Sequence, residues 1–304
     1  MIKSYFKQIL FVILFTVAVS IPSVNALASL DVLTGAKSAA LGGAYSAISG
    51  DVESLWYNPA GIAELPYMSI MFSHIISIGD INYEYLAFGM PIGKSLAWGA
   101  SINYSYSQDN SYDESALPGE TFKTTNLIFL AGLAMNFDWF DIGLSLKIIN
   151  ESIASQSQTG YALDAGFIAH IIESYLDMGL TLRDFEGKVT NSSNLVSTPA
   201  DISIQIGIAE KKLLQGLLLT QEYSYYPEYK INIFSLGVQE TIDINNAQLD
   251  LRAGYDIRAN QIDTGTGISA GMGIRFNGFA IDYCFTPYSF AGNTHRFSLG
   301  YFFI

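Results

Sequence analysis

The sequence predicts an all-β fold: a transmembrane antiparallel β-barrel of about fourteen strands, closed around an N-terminal hatch. Three observations predict it. Half of the residues are hydrophobic and only 14% are charged, yet beyond residue 26 no apolar run reaches the ~20 residues that a membrane helix needs. From residue 66 onward the chain breaks into segments of roughly ten residues, many of them alternating apolar with polar side chains. The connections between these segments alternate short with long, as in membrane barrels.

Residues 1–26 read as an export leader. Lys3 and Lys7 give a positive start, residues 9–21 are almost wholly apolar, and Val24-Asn25-Ala26 offers small residues at the positions a signal peptidase reads. The apolar stretch is too short to cross a bilayer as a helix. Net charge is −13, and the leader carries lysines but no acid, so a basic surface for nucleic acid is not expected. The lone Cys284 excludes an internal disulfide.

Residues 27–65 do not alternate and are rich in Gly and Ala. Gly42-Gly43 permits close backbone packing or positive φ, and Asn58-Pro59 fixes a rigid bend. A small-residue segment of this kind fits inside a barrel where bulkier side chains clash. The stretch 35–61 resembles the N-terminal signature of the PorV/PorQ and UPF0164 group of outer-membrane proteins, which are similar to FadL-type long-chain fatty-acid transporters. The matching positions are Gly35, Leu41-Gly42-Gly43-Ala44, Asp51, Trp56 and Asn58-Pro59-Ala60-Gly61.

That resemblance implies a hatch over 27–65 filling the lumen of a barrel over 66–304, in the bacterial outer membrane. It further implies either a channel from which hydrophobic small molecules leave sideways into lipid, or a non-enzymatic secretion or surface-scaffold component of the PorV (type IX) kind. Expected partners are outer-membrane lipid, hydrophobic small molecules or secreted proteins, and the barrel-assembly machinery through the C-terminal strand.

The strands follow in order as 67–77, 82–92, 96–107, 122–137, 140–151, 160–171, 175–184, 201–210, 213–225, 230–241, 247–257, 267–276, 279–287 and 295–304. Leu96, Trp98, Ala100, Ile102, Tyr104 and Tyr106 share one face of the third, opposite Ala97, Gly99, Ser101 and Asn103. Ile92 to Ser95, Asp138 to Phe140, Ile172 to Ser174 and Asn277-Gly278 read as tight turns, the last a two-residue hairpin signal. Residues 108–121, 185–200 and 258–266 read as long loops on the opposite rim.

Charged residues fall between the apolar positions: Lys147, Asp164, Asp177, Arg183, Asp250, Arg252, Asp256, Arg275 and Asp282. An arginine or lysine facing lipid at mid-membrane costs ~2–4 kcal/mol, so these nine are expected to face the lumen and to pair there. Two strands are apolar on both faces. Leu86, Phe88, Met90, Ile128 and Leu130 are therefore candidates for a hydrophobic path beside the hatch, against the alternative of plain packing on it.

Chemistry is otherwise sparse. Gly267-Ile268-Ser269-Ala270-Gly271 fits G-x-S-x-G, but that motif needs a strand, a turn and a helix, and here it opens an alternating strand. None of His74, His170 and His295 is placed beside Ser269 by spacing. No His or Cys pair has ligand spacing, and Asp109, Asp113, Glu114 and Glu120 read as a solvated loop. No catalytic residue, metal or cofactor is expected.

Overall fold

The computed structural model describes residues 33–112, 118–191, 197–199, 202–212, 214–257, 267–288 and 292–304. The expected leader, residues 27–32 of the expected hatch, and the side chains of Asp109, Asp113, Glu114 and Glu120 lie outside the described residues. The strands are β1 (Met68–Ile76), β2 (Asn82–Ile92), β3 (Leu96–Tyr112), β4 (Pro118–Phe137), β5 (Phe140–Ile153), β6 (Gln156–Ile172) and β7 (Leu176–Asn191). After β8 (Ser197–Pro199), which pairs only with β7, come β9 (Ser203–Lys211), β10 (Leu217–Tyr226) and β11 (Ile231–Ile244). β12 (Ala247–Asp256), β13 (Ile268–Phe276), β14 (Phe279–Pro287) and β15 (Asn293–Phe303) complete the sheet.

Neighbours in sequence pair antiparallel around the sheet, β7 passing to β9, and β1 pairs with β15 to close it. Leaving aside the three-residue β8, this is a closed barrel of fourteen strands. Closure matters because lipid offers no hydrogen bonds: a strand edge left open in a bilayer would strand its backbone groups. Short turns gather at one rim, among them Asn277-Gly278, whose φ values of 48° and 81° are those of the primed hairpin turn the dipeptide signals.

Side chains alternate as the sequence dictates. On β4, Leu127, Phe129, Leu133 and Met135 are exposed on the outer wall, whereas Ile128, Leu130 and Ala134 are buried inside. Tyr104 and Tyr106 stack on the outer wall with ring centroids 5.6 Å apart. Tyr226, near the end of β10, instead turns inward against Ile231 and Ile233.

One expectation needs correction. Residues 108–112, 118–121 and 185–191, read as loop, continue β3, β4 and β7. Most residues in these stretches are polar on either face, so alternation vanishes there, yet backbone pairing carries on: Gln108 still faces Lys123 and Tyr161 still faces Lys188.

Candidate functional site: the filled lumen and its wall

Residues 33–65 lie inside the barrel, and nearly all are buried. The segment holds two short helices, α1 (Ala36–Ala40) and α2 (Ser54–Tyr57), then a 3-10 turn over Pro59–Ile62. α1 lies against β12, β13, β14 and β15, whereas the 3-10 turn lies against β3, β4, β5 and β6, so the segment braces two sides of the wall. Its own core is Leu41, Tyr45, Ile48, Leu55, Trp56, Tyr57 and Ile62, and wall residues Tyr85, Ala87, Ala97 and Leu130 join the same cluster.

The quoted motif residues hold this segment together. Gly42 and Gly43 both adopt positive φ, 65° and 82°, where a side chain is strained. A Cβ on Gly42 would sit 2.7 Å from the Tyr255 carbonyl oxygen of the wall. Asn58 caps the 3-10 turn by accepting the Ala60 N–H at 3.0 Å, while its amide donates to the Ser46 carbonyl at 2.6 Å and to Phe167 of β6 at 3.3 Å. Across the lumen, the N–H groups of Tyr45 and Ser46 donate to Glu222 of β10 at 3.0 and 2.8 Å, and that of Ala36 donates to Ser298 of β15 at 2.9 Å.

Asp51 and Glu53 form the segment's internal electrostatics. Burial raises the Asp51 carboxyl, but the Lys37 ammonium 2.5 Å away, the Glu53 N–H and the Tyr45 hydroxyl together bring it down to about 2. Glu53 is pushed up to about 7, by burial first and by Asp51 second, although it accepts the Ser38 N–H at 3.1 Å. A Cβ on Gly35 would overlap the Glu53 carboxylate, which explains the small residue there.

A belt of inward glycines seats the segment, and the sequence reading missed it. Gly89 faces Gly99 and Gly99 faces Gly132 across β2, β3 and β4, and the pairs Gly143–Gly166, Gly179–Gly207 and Gly237–Gly254 continue the belt. A Cβ on Gly143 would overlap the Pro59–Ala60 peptide, one on Gly166 would overlap Asn58, and one on Gly237 would sit 2.7 Å from the Leu41 carbonyl oxygen. The N-terminal backbone thus rests directly on wall backbone.

The nine candidate lumen charges all fall on inward positions, in separate groups. Lys147 donates to Asp164 at 3.0 Å and to Asp184 at 2.8 Å, and Ser145 donates to Asp164 at 2.9 Å. Lys147 and Arg183 both stand over the Trp56 ring, 5.3 and 5.8 Å from its centroid. On the other side, Arg252 donates to Asp250 at 2.8 Å and to Asp282 at 2.5 Å, and Arg275 donates to Asp250 at 3.0 Å. Asp177 joins a third group at the short-turn rim, and Asp256 lies at the far end of β12. Removing one member of such a buried pair leaves an uncompensated charge, a loss of ~3–5 kcal/mol.

The five-residue hydrophobic path is corrected. Leu86 is 41% exposed, and with Phe88 and Met90 it points out of the barrel, where Phe88 packs on Trp98 at 5.3 Å. Ile128 and Leu130 point inward, Leu130 fully buried in the N-terminal segment's core. The five therefore never form one surface. Both faces of these strands are apolar because one belongs to the exposed apolar outer wall and the other meets the packed segment.

Among the described residues the wall is regular except in two places. Register breaks between β3 and β4 at Asn110/Tyr112, at the long-loop rim, and at three points between β6 and β7: Tyr161/Leu163, Leu163/Ala165 and His170/Ile172. Asp184 and Glu186 take positive φ at the bulged stretch of β7. This irregular seam flanks the Lys147, Asp164 and Asp184 group and hence Trp56.

Ser269 is a buried inward residue of β13, and Gly267 to Gly271 has no helix after it, which removes the hydrolase geometry. His74 pairs with Glu84 and His295 with Tyr283. His170 is different: its ring lies among Glu64, Asp141 and Asp177. Sequence spacing gave no sign of this group, whose members come from β5, β6, β7 and the stretch before β1.

A profile of the uncharacterised protein family UPF0164 matches residues 21–141. Comparison with curated proteins finds no match. Among solved structures, the toluene transporter TodX of Pseudomonas putida superposes with a TM-score of 0.60 at 10% identity, over 92% of this chain and 98% of that one. The toluene transporter TbuX of Ralstonia pickettii gives 0.58 at 11% identity, over 90% and 99%. CymD, a monoaromatic hydrocarbon channel, gives 0.60 at 13% identity, over 88% and 96%. The chain is a closed fourteen-strand antiparallel β-barrel of the fold seen in FadL-type channels.

Proposed function

We propose that this protein is an outer-membrane channel for small hydrophobic molecules, with residues 27–65 as its hatch and the β6–β7 seam as a sideways exit into lipid. One observation carries the reading: the lumen is filled by the chain's own N-terminal segment, and among the described residues the strand register fails beside it, between β6 and β7, and otherwise at the rim end of β3 and β4. A solute entering from the long-loop rim meets Trp56 and the packed core, so a straight route through the barrel is blocked. The nearest irregular piece of wall is the seam of β6 and β7. The structures of similar fold that are named as toluene transporters support the class of solute. The leader-like residues 1–26 support delivery across the inner membrane.

Uptake of toluene and of a long-chain fatty acid, each radiolabelled, tests the reading in cells with and without the protein. Deletion is expected to slow uptake of at least one. A Leu163→Cys/Phe185→Cys pair, placed at partnered positions across the seam in a Cys284→Ala background, is expected to reduce uptake when oxidised and restore it when reduced. Unchanged uptake of both solutes on deletion discards the channel. Loss of a surface protein from those cells, with uptake intact, would favour a PorV-like secretion scaffold.

A further inference from the structure

His170, Asp141 and Glu64 converge at the short-turn rim, where the end of the N-terminal segment meets the wall. Their ligand-capable atoms all lie within 4.8 Å of one another. Asp141 comes from β5, His170 from β6 next to a register break, and Glu64 from the stretch leading into β1. Bulges of this kind re-aim side chains.

The hydrogen bonds fix what the imidazole presents. Nδ1 of His170 lies 3.0 Å from Asp177 Oδ1, and an ionised carboxylate only accepts, so Nδ1–H is the donor. Nε2 then faces Asp141 Oδ2 at 3.2 Å and Glu64 Oε1 at 3.6 Å. With two carboxylate oxygens facing Nε2, either a proton on that nitrogen or a metal ion stands between them.

Charge points the same way. Asp141 is completely buried, and among the described residues its only ion-pair partner is His170. Among the described residues, Glu64, Asp141 and Asp177 have one lysine between them, Lys211, which pairs with Asp177. The outer partners are also in place: Asn136 donates to Asp141 Oδ1 at 2.7 Å, Ser49 donates to Glu64 Oε2 at 2.6 Å, and Asp177 orients the imidazole. A carboxylate behind a ligating histidine is the usual support of a metal-bound imidazole.

We propose that Glu64, Asp141 and His170 form a binding site for a divalent transition-metal ion of the zinc type, which fastens the end of the N-terminal segment to β5 and β6. One imidazole nitrogen and two carboxylate oxygens suit Zn²⁺, with water completing the shell. Such ligands bind at ~2.0–2.2 Å, so two of them on one ion lie at most about 4.4 Å apart. The Glu64 side chain, 38% exposed, has the freedom to close the remaining distance and leaves a route in from solvent. The site is independent of what the channel carries.

The test is calorimetric titration of ZnCl₂ into the folded full mature protein in detergent, stripped beforehand with chelator. One saturable equivalent is expected, together with a higher melting temperature on loading. Asp177→Asn is expected to weaken binding by about 10–100-fold, and His170→Gln and Glu64→Gln by more. Glu64→Gln is exposed and does not threaten folding, so it carries the test if His170→Gln misfolds. Equal zinc binding by wild type and Glu64→Gln, or no saturable binding by folded wild type, would overturn the site and leave a proton-bridged imidazolium in its place.

Discussion

Single residues set the pH response of the N-terminal segment. Glu53 titrates near 7 in the folded protein, against an ordinary value of 4.5, because it is buried and lies beside Asp51. The folded state therefore holds that proton more tightly than the unfolded one. Its stabilising contribution is complete below about pH 4.5 and is lost as pH rises to about 7. Asp51 works in the opposite sense: held at about 2 against 3.8, it stabilises above pH 3.8 and ceases to as pH falls towards 2. Thermal unfolding followed by tryptophan fluorescence should give a melting temperature that declines between pH 4.5 and 7, and Glu53→Gln should flatten that decline. An undiminished slope in the variant would assign the effect to another group. Asp51 was legible in the sequence as part of a motif, but Glu53 was not. An acidic residue in a Gly- and Ala-rich stretch gives no sign that it will be buried 3.1 Å from the Ser38 amide.

At the scale of elements, alternation is the signal that the sequence carries most plainly. Observed strands such as Asn82–Ile92 and Phe279–Pro287 have the bounds read from the sequence, because an apolar outer face and a packed inner face each repeat every second residue. The same period also misled. Leu86, Phe88 and Met90 were grouped with Ile128 and Leu130 because all lie on strands with two apolar faces, and periodicity alone does not say which face is inside. The inward glycines were hidden for a related reason. Within a strand, glycine reads as a weak point, and its meaning emerges only once another backbone lies against it. Gly143→Leu is predicted to drive Pro59 and Ala60 off the wall, raising ion conductance in planar bilayers while the barrel remains heat-modifiable on gels. Gly300→Ala is the control, since the nearest atom to its added Cβ is the Ala280 side chain at an ordinary 3.5 Å. Equal conductance in the two variants would mean that the glycine belt does not seat the segment.

At the scale of the whole molecule, closure follows from a rule stronger than any local preference: every backbone group in the bilayer must find its partner within the sheet. An even number of strands and a last strand that returns to the first are what the segment count led us to expect, and β1 paired with β15 is what the structure has. The charge groups inside were legible as inward but not as groups, since Lys147 meets Asp164 and Asp184, and His170 meets Glu64, only after the barrel closes. The outer surface offers the sharpest global test. Leu144, 64% exposed on the outer wall, lies four residues inside β5, whereas Trp139 lies in the tight turn before it. If the apolar wall faces lipid, an arginine at 144 should cost ~2–4 kcal/mol and one at 139 only about 0–1 kcal/mol, measured by denaturant unfolding in lipid vesicles. A soluble β-structure would show no such dependence on depth, because both side chains would then face water. Equal costs at the two positions would therefore remove the membrane from the argument, and with it the need for the barrel to close.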